Sequence, residues 1–349
     1  MASPHHRHGV VPPIILEHIA THAESADQRQ NAVRSLSLDH SLRMQRLTAS
    51  TRPGRPAAQG GAEEVNRTIY TADGTEVLPG TLVRSEGQPA SDDVAVDEAY
   101  DGLGATYTFY QDIFGRDSID DEGLPLLATV HYGDHYDNAF WNGTQMVFGD
   151  GDGEIFNRFT ISLDVIGHEL THGVTEDEAG LNYINQPGAL NESASDVFGS
   201  LVKQYDKGQT ADQADWLIGE GLFTASVNGT ALRSMKEPGT AYDDPRIGKD
   251  PQPAHMDHYV VTTRDNGGVH INSGIPNHAF YLAATAFGGH AWEQAGRIWY
   301  DALRDPRVRP TARFRTFARA TVRAALQAFG TDEAAVVVDA WRGVGIVAQ

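Results

Sequence analysis

Between residues 161 and 202 the apolar side chains recur every three or four positions, the spacing of helices that bury one face. One block holds Ile161, Val165, Ile166, Leu170 and Val174. A second begins near Asn191 and runs through Val197, Phe198, Leu201 and Val202. A helix–turn–helix would set these faces against each other. Upstream the period changes. From about Asn66 the chain alternates short β-like runs with turns. Thr68-Ile69-Tyr70 precedes Asp73-Gly74, a hairpin signal, and Leu82-Val83-Arg84 follows. Residues 127–132 and 145–148 read as strands, and residues 97–114 read as a helix with Tyr100, Leu103, Tyr107 and Tyr110 on one face. Downstream, residues 282–287, 294–303, 314–329 and 332–341 have helical spacing, with Gly330 as a stop. The pattern predicts an α+β protein, β-rich in front and helical behind.

The first 60 residues differ from the rest. Pro12-Pro13 ahead of Ile14-Ile15-Leu16 reads as an extended entry into a short helix. Residues 27–47 form a second helical pattern with Val33, Leu36 and Leu47 apolar. Such a segment is too small to hold a core alone. Thr51 opens the sequence TRPGRPAAQGG, a Pro/Gly/Ala-rich stretch that reads as an exposed linker and processing region. His5, His6 and His8 read as a solvated end.

Charge and cysteine narrow the class. The 349-residue chain carries a formal net charge of −20. Its first 60 residues hold seven arginines and four acids, a net of +3, so the remainder carries −23. A basic segment ahead of an acidic body predicts docking of one on the other. The acidity argues against nucleic acid and anionic membranes as partners. No apolar run reaches membrane-spanning length. Cysteine is absent, which excludes disulfides, thiolate metal sites and a cysteine nucleophile. The opening MASPHHRHGVVPP has no recognisable signal-peptide pattern.

The first of the two buried blocks contains His168-Glu169-Leu170-Thr171-His172. On a helix the two histidines leave one face a turn apart, which suits one tetrahedral zinc ion. A buried face carrying two imidazoles and a carboxylate costs desolvation energy unless something compensates, and a metal is the simplest compensation. Glu169 is placed to take a proton from water rather than to bind the ion. In the second block Glu192 and Asp196 are also four apart. Against the first face, Glu192 completes a His/His/Glu set. Asp196 then lies where it could hold the far nitrogen of a zinc-binding histidine.

Four motifs in order now carry a family resemblance: HELTH, then AGLNY (Ala179 to Tyr183), then NESASD, then DNGGVHINSG from Asp265. From about Tyr132 to the C-terminus the chain resembles the thermolysin family of zinc metalloendopeptidases. Val11-Pro12-Pro13-Ile14-Ile15-Leu16 is similar to the short propeptide of the protealysin-like branch. The resemblance implies a two-lobed fold, with a β-rich N-terminal lobe and a helical C-terminal lobe on either side of the zinc helix. The expected division is a propeptide over residues 1–52 and a linker over 53–65, then lobes over 66–178 and 179–349.

The same resemblance implies site roles. His168, His172 and Glu192 bind zinc, and Glu169 is the general base. Tyr183 and His270 stabilise the oxyanion, with Asp265 holding His270. Asn138 and the Ala139 backbone bind the peptide on an edge strand, and Arg233 binds the carbonyl on the leaving-group side. Phe156, Val165, Leu222 and Leu232, with Phe159 and Ile218, form an apolar pocket, so a bulky apolar residue should follow the cleaved bond. Polypeptide substrates and the chain's own propeptide are the expected partners of a monomer. Secretion is implied by resemblance, with a cytoplasmic location as the alternative. The family's paired calcium site is matched at Asp164, Asp215 and Glu220, but Lys203 and Leu217 stand where the pattern has acids. At least one calcium should be absent, and Lys203 should form an internal salt link instead. Two rival readings are a zinc exopeptidase and a catalytically silent zinc-binding protein of the same fold. No terminus-recognition motif supports the first, and the complete residue set argues against the second.

Overall fold

The computed structural model describes residues 9–48 and 64–348. His5, His6, His8 and most of the expected linker lie outside these. The chain opens with α1 (Pro13–His22) and α2 (Ala26–Thr48). Pro13 occupies the first helical position of α1, where no backbone N–H partner is lost. Five strands follow: β1 (Arg67–Thr71), β2 (Thr81–Ser85), β3 (Leu126–Val130), β4 (Ala139–Trp141) and β5 (Met146–Phe148). They form one sheet in the order β2-β1-β3-β5-β4. The β1–β3 and β3–β5 pairs are parallel; β2 and β4 run antiparallel at the two edges. Asp73 and Gly74 both have positive φ, so the turn signal between β1 and β2 holds, although the connection extends to Gly80. The helix α3 (Val94–Phe114) crosses between β2 and β3. The Asp93 carboxylate caps its start and a left-handed Gly115 ends it.

Two helices form the centre. They are α4 (Leu163–Asp177) and α5 (Asn185–Asp206). Both are buried along most of their length, so polar groups on their facing sides are cut off from water. Gly199 lets the backbones approach: a Cβ there would lie 2.3 Å from the Asp164 carbonyl oxygen. The α5 helix starts six residues before the apolar pattern does. Pro187 is in its first turn, where a missing N–H costs nothing. Four short strands follow, β6 (Leu217–Ile218) with β7 (Arg233–Ser234) and β8 (Asp243–Asp244) with β9 (Gly248–Lys249). The C-terminal half is helical: α6 (Asp265–Asn272), α7 (Gly274–Phe287), α8 (Arg297–Leu303), α9 (Phe314–Ala328) and α10 (Thr331–Gly343). Among the described residues no helix is long and apolar enough to cross a membrane.

The N-terminal segment packs on the body. Val10, Val11, Ile15, Leu16, Ile19, Ala23 and Ala32 are each at most 3% exposed and belong to the main apolar core. Described ion pairs to the body are Arg34–Asp134 and Glu17–Arg264, and in these two the signs are reversed. Among the described residues the contact is chiefly apolar; of the segment's seven arginines, five (7, 43, 46, 52 and 55) lie outside the described side chains.

Candidate active site

His168 and His172 leave the same face of α4, and their Nε2 atoms are 3.1 Å apart. Two nitrogens on one tetrahedral zinc are separated by roughly 3.3 Å, given zinc–nitrogen bonds of about 2.0–2.1 Å. Their Nδ1 atoms are engaged on the opposite side. His168 Nδ1 meets Asp196 Oδ1 at 2.8 Å, as the spacing suggested. His172 Nδ1 is held by Asn191 Oδ1 at 2.7 Å and Ser195 Oγ at 3.0 Å. These two partners were not foreseen, though both flank Glu192 within NESAS. Burial lowers His168 and takes His172 down to about 4, so both rings are neutral at pH 7 and present Nε2 lone pairs.

Two carboxylates compete for the third position. Glu192 Oε2 is 3.6 Å from His168 Nε2, and its Oε1 is 3.5 Å from His172 Nε2. No Glu169 oxygen comes within 4.0 Å of a nitrogen of either ring, although its carboxylate stays within 4.8 Å of both ligand atoms. Instead Glu169 Oε2 accepts the Trp141 N–H at 2.9 Å. Each glutamate leaves one oxygen buried without a partner, Glu169 Oε1 and Glu192 Oε2. Two orphaned carboxylate oxygens beside two inward lone pairs suit a divalent cation and leave an apolar or neutral filler unsupported.

The remaining predicted residues converge from other elements. Tyr183, on the turn between α4 and α5, gives its hydroxyl to Glu192 Oε1 and lies 3.2 Å from His270 Nε2. The Asp265 carboxylate accepts both the His270 N–H, at 2.8 Å, and its Nδ1, at 2.6 Å. What reads as a glycine-rich loop is a left-handed turn. Asn266, Gly267 and Gly268 have φ of 49°, 84° and 77°, and this turn brings Asp265 under His270. Burial opposes charge on His270, but the Glu192 and Asp265 carboxylates outweigh it and raise the imidazole.

Arg233 is fully buried. Its Nε and Nη2 donate to both Asp196 oxygens at 2.8 Å, and Asn277 also donates to Asp196. Asn277 is a member of the network that the sequence did not single out. The free Nη1 of Arg233 donates to the Val10 carbonyl at 3.0 Å. The Val10 N–H donates to the Ala139 carbonyl at 3.1 Å, and the Val11 N–H to Asn138 Oδ1 at 3.0 Å. The N-terminal segment thus engages the free edge of β4. Asp39 of α2 reinforces this, accepting from Tyr136 Oη at 2.5 Å and Asn138 Nδ2 at 3.1 Å. Of the pocket residues, Leu232 lines a small cavity under Pro12 and Ile14. Phe156, Phe159, Val165, Ile218 and Leu222 are wholly buried nearby, with the Phe156 and Phe159 rings 5.7 Å apart.

The cation cluster also resolves. Lys203 Nζ lies 2.7 Å from Asp164 Oδ2, 2.8 Å from Asp215 Oδ1 and 2.9 Å from the Leu217 carbonyl. Burial opposes its charge, but Asp164 and Asp215 hold it above the usual lysine range. Glu220 is exposed. The acidic turn at residues 149–153 closes on itself: Asp152 Oδ1 accepts the N–H groups of Glu154, Ile155 and Phe156.

Comparison with known proteins places this architecture. Residues 27–176 match the thermolysin metallopeptidase catalytic domain, and residues 179–346 match the thermolysin metallopeptidase alpha-helical domain. The chain belongs to the thermolysin metallopeptidase family. It is 57% identical over 338 residues to an extracellular metalloprotease of Pectobacterium carotovorum subsp. carotovorum, covering 97% of this chain and 96% of that one. It is 50% identical over 341 residues to protease PrtS of a Photorhabdus species, covering 97% and 92%. Among solved structures, the precursor of protealysin from Serratia proteamaculans superposes with a TM-score of 0.90 at 57% identity, covering 97% of this chain and all of that one. Membership makes the chain a metalloendopeptidase with the expected two-lobed fold, and the family implies zinc.

Proposed function

We propose that the chain is a latent zinc endopeptidase whose own N-terminal segment occupies the substrate cleft. The observation that carries this reading is the placement of Val10 and Val11. Their backbone groups take the Ala139 carbonyl, the Asn138 amide and the Arg233 guanidinium, the groups expected to hold a substrate. An exposed strand edge offers donors and acceptors without reading side chains, so any extended peptide can replace the segment.

His168, His172 and Glu192 would hold the ion. Zinc bound there supplies a Lewis acid and a water acidified toward neutrality. Glu169 is buried among other carboxylates, which raises its proton affinity well above that of a free glutamate. It takes the proton of the attacking water through Oε1, while the Trp141 N–H fixes Oε2, and hands the proton to the leaving nitrogen. Tyr183 and His270, steadied by Asp265, donate to the oxyanion. Asp196 orients His168 and Arg233 together, so ion and carbonyl clamp share one anchor. The apolar group around Leu232, Leu222, Val165 and Phe156 favours cleavage before a bulky apolar residue. Residues 1–52 act as the propeptide, 53–65 contain the processing bond, and the lobes follow at 66–178 and 179–349. The extracellular naming of the Pectobacterium relative supports secretion. Casein digestion by the processed chain should stop with a zinc chelator and return with added zinc. Digestion that persists in chelator would reject this reading.

A further inference from the structure

One stretch reverses the charge of the chain. Residues 304–323 contain seven arginines (304, 307, 309, 313, 315, 319 and 323) and a single acid, Asp305. The stretch carries +6, so the rest of the chain carries −26. All but Arg323 are exposed. Arg304 pairs with Glu178, and Arg307 and Arg323 pair with Asp305. Arg309, Arg313 and Arg315 make no ion pair among the described residues.

This strip abuts the cleft. The Asn182 N–H donates to the Pro310 carbonyl at 2.8 Å, and the Phe314 N–H donates to Gln186 Oε1 at 3.1 Å. These bonds clamp the turn that carries Tyr183. Between turn and strip lies a groove of about 360 Å³, walled by Asn182, Asn185, Gln186, Tyr259, Thr311 and Arg313. Ile184 and Pro187 make part of the wall apolar, while its amide, hydroxyl and guanidinium groups supply donors suited to carboxylates. Among the described residues the N-terminal segment makes its contacts elsewhere, at β4, Arg233, Arg264 and the β8–β9 turn, and leaves the strip open.

We propose that Arg309, Arg313 and Arg315, with the groove beside Tyr183, form an exosite for an acidic stretch of a polypeptide substrate. The inference rests on the endopeptidase reading, because the ligand reaching this groove is the flank of a chain lying in the cleft. An acidic substrate is repelled by a body of net negative charge, and the strip beside the cleft offsets that repulsion locally. A DNA duplex or an anionic bilayer is broader than the strip and would also meet a body whose remaining residues carry −26 in total. A flexible run of glutamates and aspartates would not.

The test is fluorescence anisotropy of a labelled, end-blocked octaglutamate peptide with the full-length chain, which requires no turnover. The expected result is binding that weakens as salt is raised from about 20 to 300 mM, by screening. Binding should fall about tenfold or more in the triple variant Arg309→Gln, Arg313→Gln, Arg315→Gln. Arg313→Gln alone should show part of that loss, and Arg342→Gln, on an exposed arginine paired with Asp339 outside the strip and the groove lining, none. A second readout uses processed enzyme and two peptides with one cleavable core. The triple variant should lower kcat/KM only for the peptide with a tetraglutamate tail. No binding by the wild type, or equal binding by the triple variant, would overturn the exosite. Tighter binding of phosphatidylglycerol vesicles or duplex DNA than of the peptide would overturn the choice of partner. Failure of the processed wild type to cleave either peptide, with octaglutamate binding retained, would count against the endopeptidase reading alone.

Discussion

Glu169 and Glu192 are equally sealed from water but stand differently toward the two imidazoles, and the chemistry divides along that difference. Glu169→Gln should retain zinc, because the residue lies beyond ligand distance, and lose at least about a hundredfold in turnover as a missing general base. Atomic absorption with a peptide assay checks both; substantial residual turnover would remove the base role. Glu192→Ala should lower zinc content and melting temperature together, since metal binding is linked to folding. A different titration is set at His131, whose ring lies 2.8 Å from both Asp93 and Asp150. The hydrogen bond to Asp150, helped by that to Asp93, lifts it to about 9 against the partial burial that opposes it. A raised histidine stabilises fully below its ordinary value near 6.5 and loses that stabilisation as pH climbs through its folded value. Melting temperature should therefore decline between about pH 6.5 and 9, and His131→Gln should flatten the decline. An unchanged slope in the variant would show that the clamp contributes nothing.

At the scale of elements, α4 and α5 were legible because their function and their packing use the same period. Ligands four apart fall on the buried face that the apolar residues also define. The first turn of α5 was not legible, because Pro187-Gly188 signals a break everywhere except at a helix start. The meeting of Asp265 and His270 was expected from the family resemblance alone, because it depends on four successive left-handed residues, Asp265 to Gly268, that no periodicity reports. Asn191 and Ser195 were hidden for another reason: polar residues beside a ligand resemble ordinary helix surface until the partner helix is in place. The α5 helix also carries Lys203, eleven residues beyond Glu192, and the foreseen salt link forms with Asp164 and Asp215. Lys203→Met leaves Asp164 buried and unpaired and should cost about 3 kcal/mol or more. The wild type should melt at nearly the same temperature with calcium and with a calcium-selective chelator. Lys203→Glu with Leu217→Glu should make stability calcium-dependent. A sharp fall of the wild-type melting temperature on calcium removal would contradict a lysine in the cation's place.

At the scale of the whole molecule, the described N-terminal residues and the catalytic body share one apolar core, and in the proposed reading that burial is what holds the precursor latent. A peptide of residues 1–48 added to processed enzyme should inhibit it with little dependence on salt, and Asp39→Ala in that peptide should weaken inhibition about tenfold through lost buried hydrogen bonds to Tyr136 and Asn138. The central claim is that activity appears only when this segment leaves. The most direct measurement is intact-mass spectrometry of the purified full-length chain during incubation, with peptidase activity sampled at the same times. The account predicts a precursor with almost no activity, then a rise that tracks loss of the first 50 to 65 residues. Full activity at zero time from a chain of undiminished mass would contradict it.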